Sequence, residues 1–265
     1  MRFRWVKTLC ILWLAAIVLL AFIAPIITSA DPYKPISSLL QSPTVHPPFG
    51  TDALGRDFFA RVVYGARLSL SIPLLATLLT VLVGTTLSLA AIAIGGLSDR
   101  IILALTNAAL AIPGLLLAML LVAGFGPGLP TVVIAVGLGG IPGFIRLSRS
   151  IFQGIKEMGY IDAAYALGAS RTRVALAHLL PNAAPQLFSL ATTHFAWAFM
   201  GATTLTFLGL SGDPSFPEWG AMLNSGRMHL IQGPWLTIIP GILISLTILT
   251  VHYLGENYTA KRPAR

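Results

Sequence analysis

From Ile101 to Ile145 the chain runs for 45 residues without one Asp, Glu, Lys, Arg or His. A bilayer-spanning helix needs about 20 mostly apolar residues to cross about 30 Å of hydrocarbon. The run is therefore long enough for two such helices, and Gly126-Pro127-Gly128-Leu129-Pro130 supplies the break between them. Other stretches lacking Asp, Glu, Lys and Arg repeat the pattern. Thr8–Ala30 predicts a first span over about Leu9–Ile27, and Leu68–Ser98 a second that ends near Gly95-Gly96. Val174–Gly212 predicts a fifth span beginning after Pro181, and Met228–Gly255 a sixth beginning near Trp235. The expectation is an all-α, polytopic membrane bundle of six transmembrane helices.

Composition agrees. Only 10% of residues are charged and 55% are hydrophobic, with mean hydropathy +0.82, against about 25% charged in soluble domains. Soluble, collagen-like and disordered classes are excluded. Cys10 is the single cysteine, so neither an internal disulfide nor a cysteine metal cluster can form. A cleaved leader is the rival reading of the first span, because Arg2, Arg4 and Lys7 precede it and Thr28-Ser29-Ala30 follows it. Its apolar stretch exceeds the usual leader core of about 7–15 residues, which favours an uncleaved anchor.

The net charge of +8 points to membrane topology rather than to a nucleic-acid partner. With the N-terminus inside, the inner side holds twelve basic residues: Arg2, Arg4, Lys7, Arg100, Arg146, Arg149, Lys156, Arg171, Arg173, Lys261, Arg262 and Arg265. The outer side holds five: Lys34, Arg56, Arg61, Arg67 and Arg227. Positive residues favour the cytoplasmic side, so both termini are expected there. Arg56, Arg61 and Arg67 crowd an outer segment against this trend. The expected divisions are a start and first span over 1–30, an outer loop and lead-in helix over 31–67, a core over 68–255, and a tail over 256–265.

Lys156–Pro185 lies between two spans, yet reads as short amphipathic helices joined by a glycine. Asp162-Ala163-Ala164 gives a helix surface of little bulk. Gly168 permits a turn through positive φ, Ser170 is placed to cap the next helix, and Pro181 to open the following span. Such a knob on a stem suits a groove on a cytoplasmic partner, although an ordinary capped connection reads the same way.

These residues resemble the EAA loop of ABC-importer permeases, with its pattern E-A-A, three residues, G, nine residues, I, one residue, L-P. Asp162, Ala163, Ala164, Gly168, Leu180 and Pro181 match at the required spacing, over about 156–181. Asp162 stands where the family usually has Glu, and His178 where it usually has Ile. Phe49–Asp57 with Tyr64–Leu70, and Phe207–Leu210 with Pro217–Gly220, look like segments of the oligopeptide/dipeptide/nickel branch. The Arg-Asp-x-x-Asp-Pro tail usual in that branch is missing after Gly255-Glu256.

The resemblance implies the ABC-importer permease (MetI-like) fold and a place in a bacterial inner membrane. It also implies four kinds of partner besides the lipid bilayer: a homologous permease, two cytoplasmic ATPases, an extracytoplasmic solute-binding protein, and a cargo of small peptides, nickel or nickel chelates. ATP and magnesium would be bound by the ATPases, since the chain has no phosphate-binding glycine loop ending in Lys-Ser/Thr; no cofactor is expected in this chain. Coupling to the ATPases would fall to Asp162, Ala163, Ala164, Gly168 and Arg171. Outer docking or gating would fall to Asp52, Arg56, Asp57, Glu218 and Trp219.

Neither catalytic residues nor a metal site is expected. His46, His178, His194, His229 and His252 form no i, i+4 pair, and no Gly-x-Ser-x-Gly or His-Glu-x-x-His occurs. His194 sits mid-span beside Thr192 and Thr193, and intramembrane ionisable groups usually face a bundle interior or watery cavity. It is the candidate for the translocation path, with helix–helix hydrogen bonding as the alternative. A secondary transporter or channel subunit is the rival function. It would usually need intramembrane carboxylates or inverted repeats with broken helices; Pro73, Pro113 and Pro142 interrupt spans, but the spans contain no Asp or Glu.

Overall fold

The computed structural model describes residues 2–259, so 260–265 of the expected tail lie outside the described residues. Among the described residues all regular elements are helical; irregular loops cover 28–57 and 208–218, the first holding two isolated bridges, Pro35 to Arg56 and Thr51 to Asp57. The helices are α1 (Arg2–Ile27), α2 (Phe58–Ile94), α3 (Gly96–Leu110), α4 (Gly114–Phe125), α5 (Leu129–Lys156), α6 (Gly159–Ala166), α7 (Arg171–Arg173), α8 (Leu180–Phe207), α9 (Trp219–Gly226) and α10 (Trp235–Thr259). A π-helical turn, Val174–Leu179, joins α7 to α8, and a 3₁₀ turn, Arg227–His229, follows α9.

Four helices are long and apolar enough to cross a membrane unaided: α1, α2, α5 and α10. The pair α3 and α4 makes a fifth crossing if it counts as one broken span, because the two meet at 88°. The expected fifth span, α8, has the length, but Asn182, Gln186, Thr192, Thr193, His194, Thr203 and Thr204 make it more polar than the others. The six apolar segments thus reappear as helices, two of them not plain crossings. Of the three prolines expected to interrupt spans, only Pro113 coincides with a break. Both α2 and α5 continue through Pro73 and Pro142.

The second span begins ten residues earlier than expected. Asp57 caps α2 by accepting the Ala60 N–H at 3.1 Å, and the helix then runs unbroken past the boundary at 67. At 37 residues and 1.5 Å per residue it is about 55 Å long, well beyond the hydrocarbon thickness. It carries the expected lead-in helix and the span in one piece.

Helices α2 and α5 form the spine. Where they cross, a Cβ on Gly137 would lie 2.7 Å from the Leu79 side chain and 3.2 Å from the Ala76 carbonyl. The missing side chain lets the backbones close enough for Thr80 Oγ1 to donate to the Gly137 carbonyl at 2.7 Å. About two to three helical turns further along, the hydroxyls of Ser148 and Ser88 meet at 2.8 Å. Lipid is as apolar as leucine, so close packing and such hydrogen bonds hold membrane helices together.

The first helix is built into this bundle. Ile17, Ala21 and Ala24 are buried, and Trp13 Nε1 donates to Thr247 Oγ1 of α10 at 3.3 Å. Pro25 has no N–H, which deprives the Ala21 carbonyl of its helical partner. Arg67 of α2 fills the vacancy: its Nε donates to the Ala21 carbonyl at 2.5 Å and Nη2 to the Phe22 carbonyl at 3.1 Å.

Candidate functional site

Three places gather the residues expected to matter. The first is the connection between α5 and α8. Ile161 of α6, with Val174 and Leu179 of the π turn, packs on Ile92 of α2 and on Phe152 and Ile155 of α5. This plants the inner side of the knob and leaves the other side open. Ala163, Tyr165, Ala166 and Gly168 are exposed, and Leu167 is 90% exposed. Gly168 has φ +85°. The Gly168 N–H bonds the Tyr165 carbonyl at 2.9 Å and the Ala169 N–H the Ala164 carbonyl at 3.0 Å. This is the double closure of a Schellman turn, in which a glycine avoids the strain of a left-handed residue. Ser170 then caps α7 by accepting the Arg173 N–H at 3.2 Å, as expected from its position.

Two cations fasten the knob to its neighbour. Lys156 Nζ donates to the Ile92 carbonyl, and Arg171 Nη1 to the Ile94 carbonyl, each at 2.9 Å. These carbonyls belong to the last turn of α2, where orphan acceptors and the helix dipole favour positive charge. Arg171 therefore points into the chain itself. Asp162 does the reverse. It is exposed, makes no hydrogen bond or ion pair with any described residue, and is not the cap of α6, which starts at Met158 without a side-chain cap.

Pro181 lies in the first turn of α8, as its position suggested, but the helical path is not interrupted before it. Its missing N–H and its ring disturb the ladder, and the preceding residues widen into the π turn, with the Leu180 N–H reaching the Ala175 carbonyl. One helical rod thus runs from Arg171 to Phe207.

The second place is the outer cluster, and here burial changes the expected picture. Asp52, Arg56 and Asp57 are each 7% exposed, Glu218 2% and Trp219 0%, so none forms an exposed docking surface. Asp52 accepts the N–H groups of Leu54 and Arg56 at 2.8 and 3.0 Å and pairs with Arg56 Nε at 2.7 Å and Arg61 Nε at 3.4 Å. Arg61 also donates to the carbonyls of Pro32 and Ser215, each at 3.0 Å. Asp52, Arg56 and Arg61 thus knit two outer loops to the top of α2. Glu218 caps α9 through the N–H groups of Gly220 and Ala221 at 3.0 and 2.8 Å, and receives the Ser69 hydroxyl at 3.2 Å. Burial pushes its carboxyl above the usual range against those donors. Trp219 Nε1 donates to the Val62 carbonyl at 3.0 Å.

The third place is a cavity of about 380 Å³ between α4, α5 and α8, lined by Ala118, Gly139, Gly140, His194, Trp197 and Thr204 among others. The His194 ring stands edge-on to Phe144, and its buried Nε2 has no hydrogen-bond partner. The alternative of a helix–helix hydrogen bond through that nitrogen is therefore not what the structure shows. Sequence reasoning missed a second cavity of about 510 Å³ between α3 and α5, lined by Asn107, Arg146, Arg149, Ser150, Gln153 and Glu157. Only the spacing along α5 could have signalled it.

Comparison with known proteins matches residues 80–262 to the family described as binding-protein-dependent transport system inner membrane component. The dipeptide transport system permease protein DppC of Alkalihalophilus pseudofirmus is 38% identical over 245 residues, covering 92% of this chain and 81% of that protein. The glutathione transport system permease protein GsiD of Pectobacterium atrosepticum is 36% identical over 228 residues, covering 86% and 76%. GsiD of Escherichia coli O6:K15:H31 is 36% identical over 247 residues, covering 93% and 81%. Among solved structures, an inward-facing form of the MetNI methionine ABC transporter superposes with TM-score 0.64 at 18% identity, over 77% of this chain and 98% of that one. The last likeness concerns the fold, and the others carry the lineage: the chain belongs to the family of inner membrane components of binding-protein-dependent transport systems.

Proposed function

We propose that this chain is one permease half of an importer for small peptides, in which Gly159–Arg173 takes the push of a cytoplasmic ATPase. The observation that carries this is the knob itself: rigidly closed at Gly168, anchored on α2, continuous with α8, and exposing small and apolar residues beside an unpartnered carboxylate. Asp162 would pair with a basic group of the ATPase, where a desolvated charge pair is worth more than a local cap. Ala163 and Ala164 would let the ATPase groove approach the backbone. A second, homologous permease would complete the path. A solute-binding protein would deliver cargo to the outer loops, which the Asp52–Arg61 and Glu218–Trp219 cluster holds in shape. Both termini would lie in the cytoplasm. Membership of the family removes the secondary-transporter alternative. The names of the relatives favour a peptide cargo over nickel.

The test is reconstitution of the assembled importer in vesicles, reading ATP-driven uptake of dialanine and of glutathione. Uptake of at least one is expected, with Asp162→Asn abolishing it while the subunit still inserts with unchanged thermal stability. Uptake of neither overturns the peptide reading. Full uptake by Asp162→Asn removes the charge pair.

A further inference from the structure

Gly139, Gly143, Arg146, Ser150, Gln153 and Glu157 follow one another at steps of four and three residues, the spacing that places side chains on one helix face. The outer end of this face lines the His194 cavity, and its inner end lines the cavity against α3. A single face of α5 thus passes from glycine in mid-membrane to polar groups towards the cytoplasm. None of these six is buried.

Within the inner cavity the charges are unequally spent. Arg149 is matched by Asp99, Nε to Oδ1 and Nη2 to Oδ2, both at 2.7 Å. Glu157 accepts the Gln153 amide at 2.6 Å and lies eleven residues beyond Arg146, about 16 Å along the helix. Arg146 has no hydrogen bond or ion pair with any described residue. Arg146 stands on a helix long and apolar enough to cross a membrane, and unmatched cations on such helices mark pathways.

We propose that Arg146 is an oxyanion-binding step on the inner half of the translocation path, where it takes a carboxylate of the passing cargo. The inference rests on the transport reading above and adds to it a residue and a ligand chemistry. A guanidinium presents a planar fork of donors that fits a carboxylate in bidentate fashion. The Asn107 amide and the Ser150 hydroxyl line the same cavity and can donate to the same anion. One unmatched charge attracts an anion yet lets it leave, as conduction requires. A free peptide carries such a carboxylate at its C-terminus, and glutathione carries two.

The test uses the assembled importer with its cysteines removed, Cys10→Ala in this chain, and Arg146→Cys introduced. Initial dialanine uptake should fall about tenfold, the loss of one charge-assisted contact. Modification with aminoethyl methanethiosulfonate, which restores a positive charge, should recover most of it, whereas the sulfonatoethyl reagent should not. Dialanine should also slow labelling of the nucleotide-free complex. Equal recovery with both reagents, or with neither, overturns the proposal. So does labelling that responds to the phosphatidylglycerol content of the vesicles and not to dialanine, which would make the site one for a lipid phosphate. Failure of the cysteine-free parent to take up dialanine would count against the peptide reading. Protection of the cysteine by dialanine would still decide the fate of Arg146.

Discussion

Arg67 is the residue at which local chemistry and helix assembly meet most directly. It supplies the hydrogen bond that Pro25 takes away, so the two residues should be energetically coupled although they lie on different helices. Arg67→Met leaves the Ala21 carbonyl unpaired, at a cost of about 1–3 kcal/mol. Pro25→Ala returns the N–H and should absorb most of that loss. Thermal unfolding of the two single variants and the double variant measures the coupling, and strict additivity would show that Arg67 does not serve this carbonyl. The same reasoning accounts for Arg56, Arg61 and Arg67, which the proposed topology crowds on the outer side. Each is occupied by an acceptor, Asp52 or a backbone carbonyl, supplied by residues remote in sequence for Arg61 and Arg67. A sequence shows such charges but not their partners. Charge alone therefore places the second span only after Arg67, with a separate lead-in helix before it, and reads the buried outer cluster as a surface.

At the scale of elements, the turn at Gly168 decides the shape of the knob. Gly168→Val puts a β-branched side chain at φ +85°, where strain of about 1–3 kcal/mol accumulates. There is open space around its Cβ, so the damage should stay in the backbone of the turn. The variant should insert and keep its global melting temperature within a few degrees, yet lose co-purification of the ATPases or uncouple hydrolysis from uptake. Wild-type uptake by Gly168→Val would remove the turn from the coupling role. This turn was legible because it depends on local chemistry: a glycine, a capping serine and two small residues at fixed steps. The site of the bend between α3 and α4 was marked by Pro113, but its 88° angle was not, because a charge-free run offers no polar contrast to set it. Pro181 was legible as the start of α8, whereas the π turn that joins it to α7 without a break was not.

For the molecule as a whole, the distribution of exposed groups sets an orientation that labelling can check. Thr44, Leu167 and Ile231 are all exposed, the last two at 90% and 96%. In a Cys10→Ala background, a membrane-impermeant maleimide added to sealed cells should modify Thr44→Cys and Ile231→Cys, and Leu167→Cys only after permeabilisation. Modification of Leu167→Cys in sealed cells would invert the topology. Six helical segments, the break at Gly126–Pro130 and the position of the knob followed from apolar run length and glycine placement. The two cavities and the sharing of one α5 face between them required three dimensions.

The rod from Arg171 to Phe207 also bears on thermodynamics. It is about 55 Å long at 1.5 Å per residue, and it ends one residue past Thr206, which packs so closely on Gly220 in the first turn of α9 that no side chain would fit there. Its two ends are therefore not independent binding environments. If nucleotide at the inner end favours one tilt of the rod, an outer ligand that prefers that tilt must bind more tightly by the same factor, and must raise nucleotide affinity in return. Reciprocity of this kind can be read from either side of the membrane: nucleotide affinity measured with and without the outer partner should shift by the ratio seen for that partner with and without nucleotide.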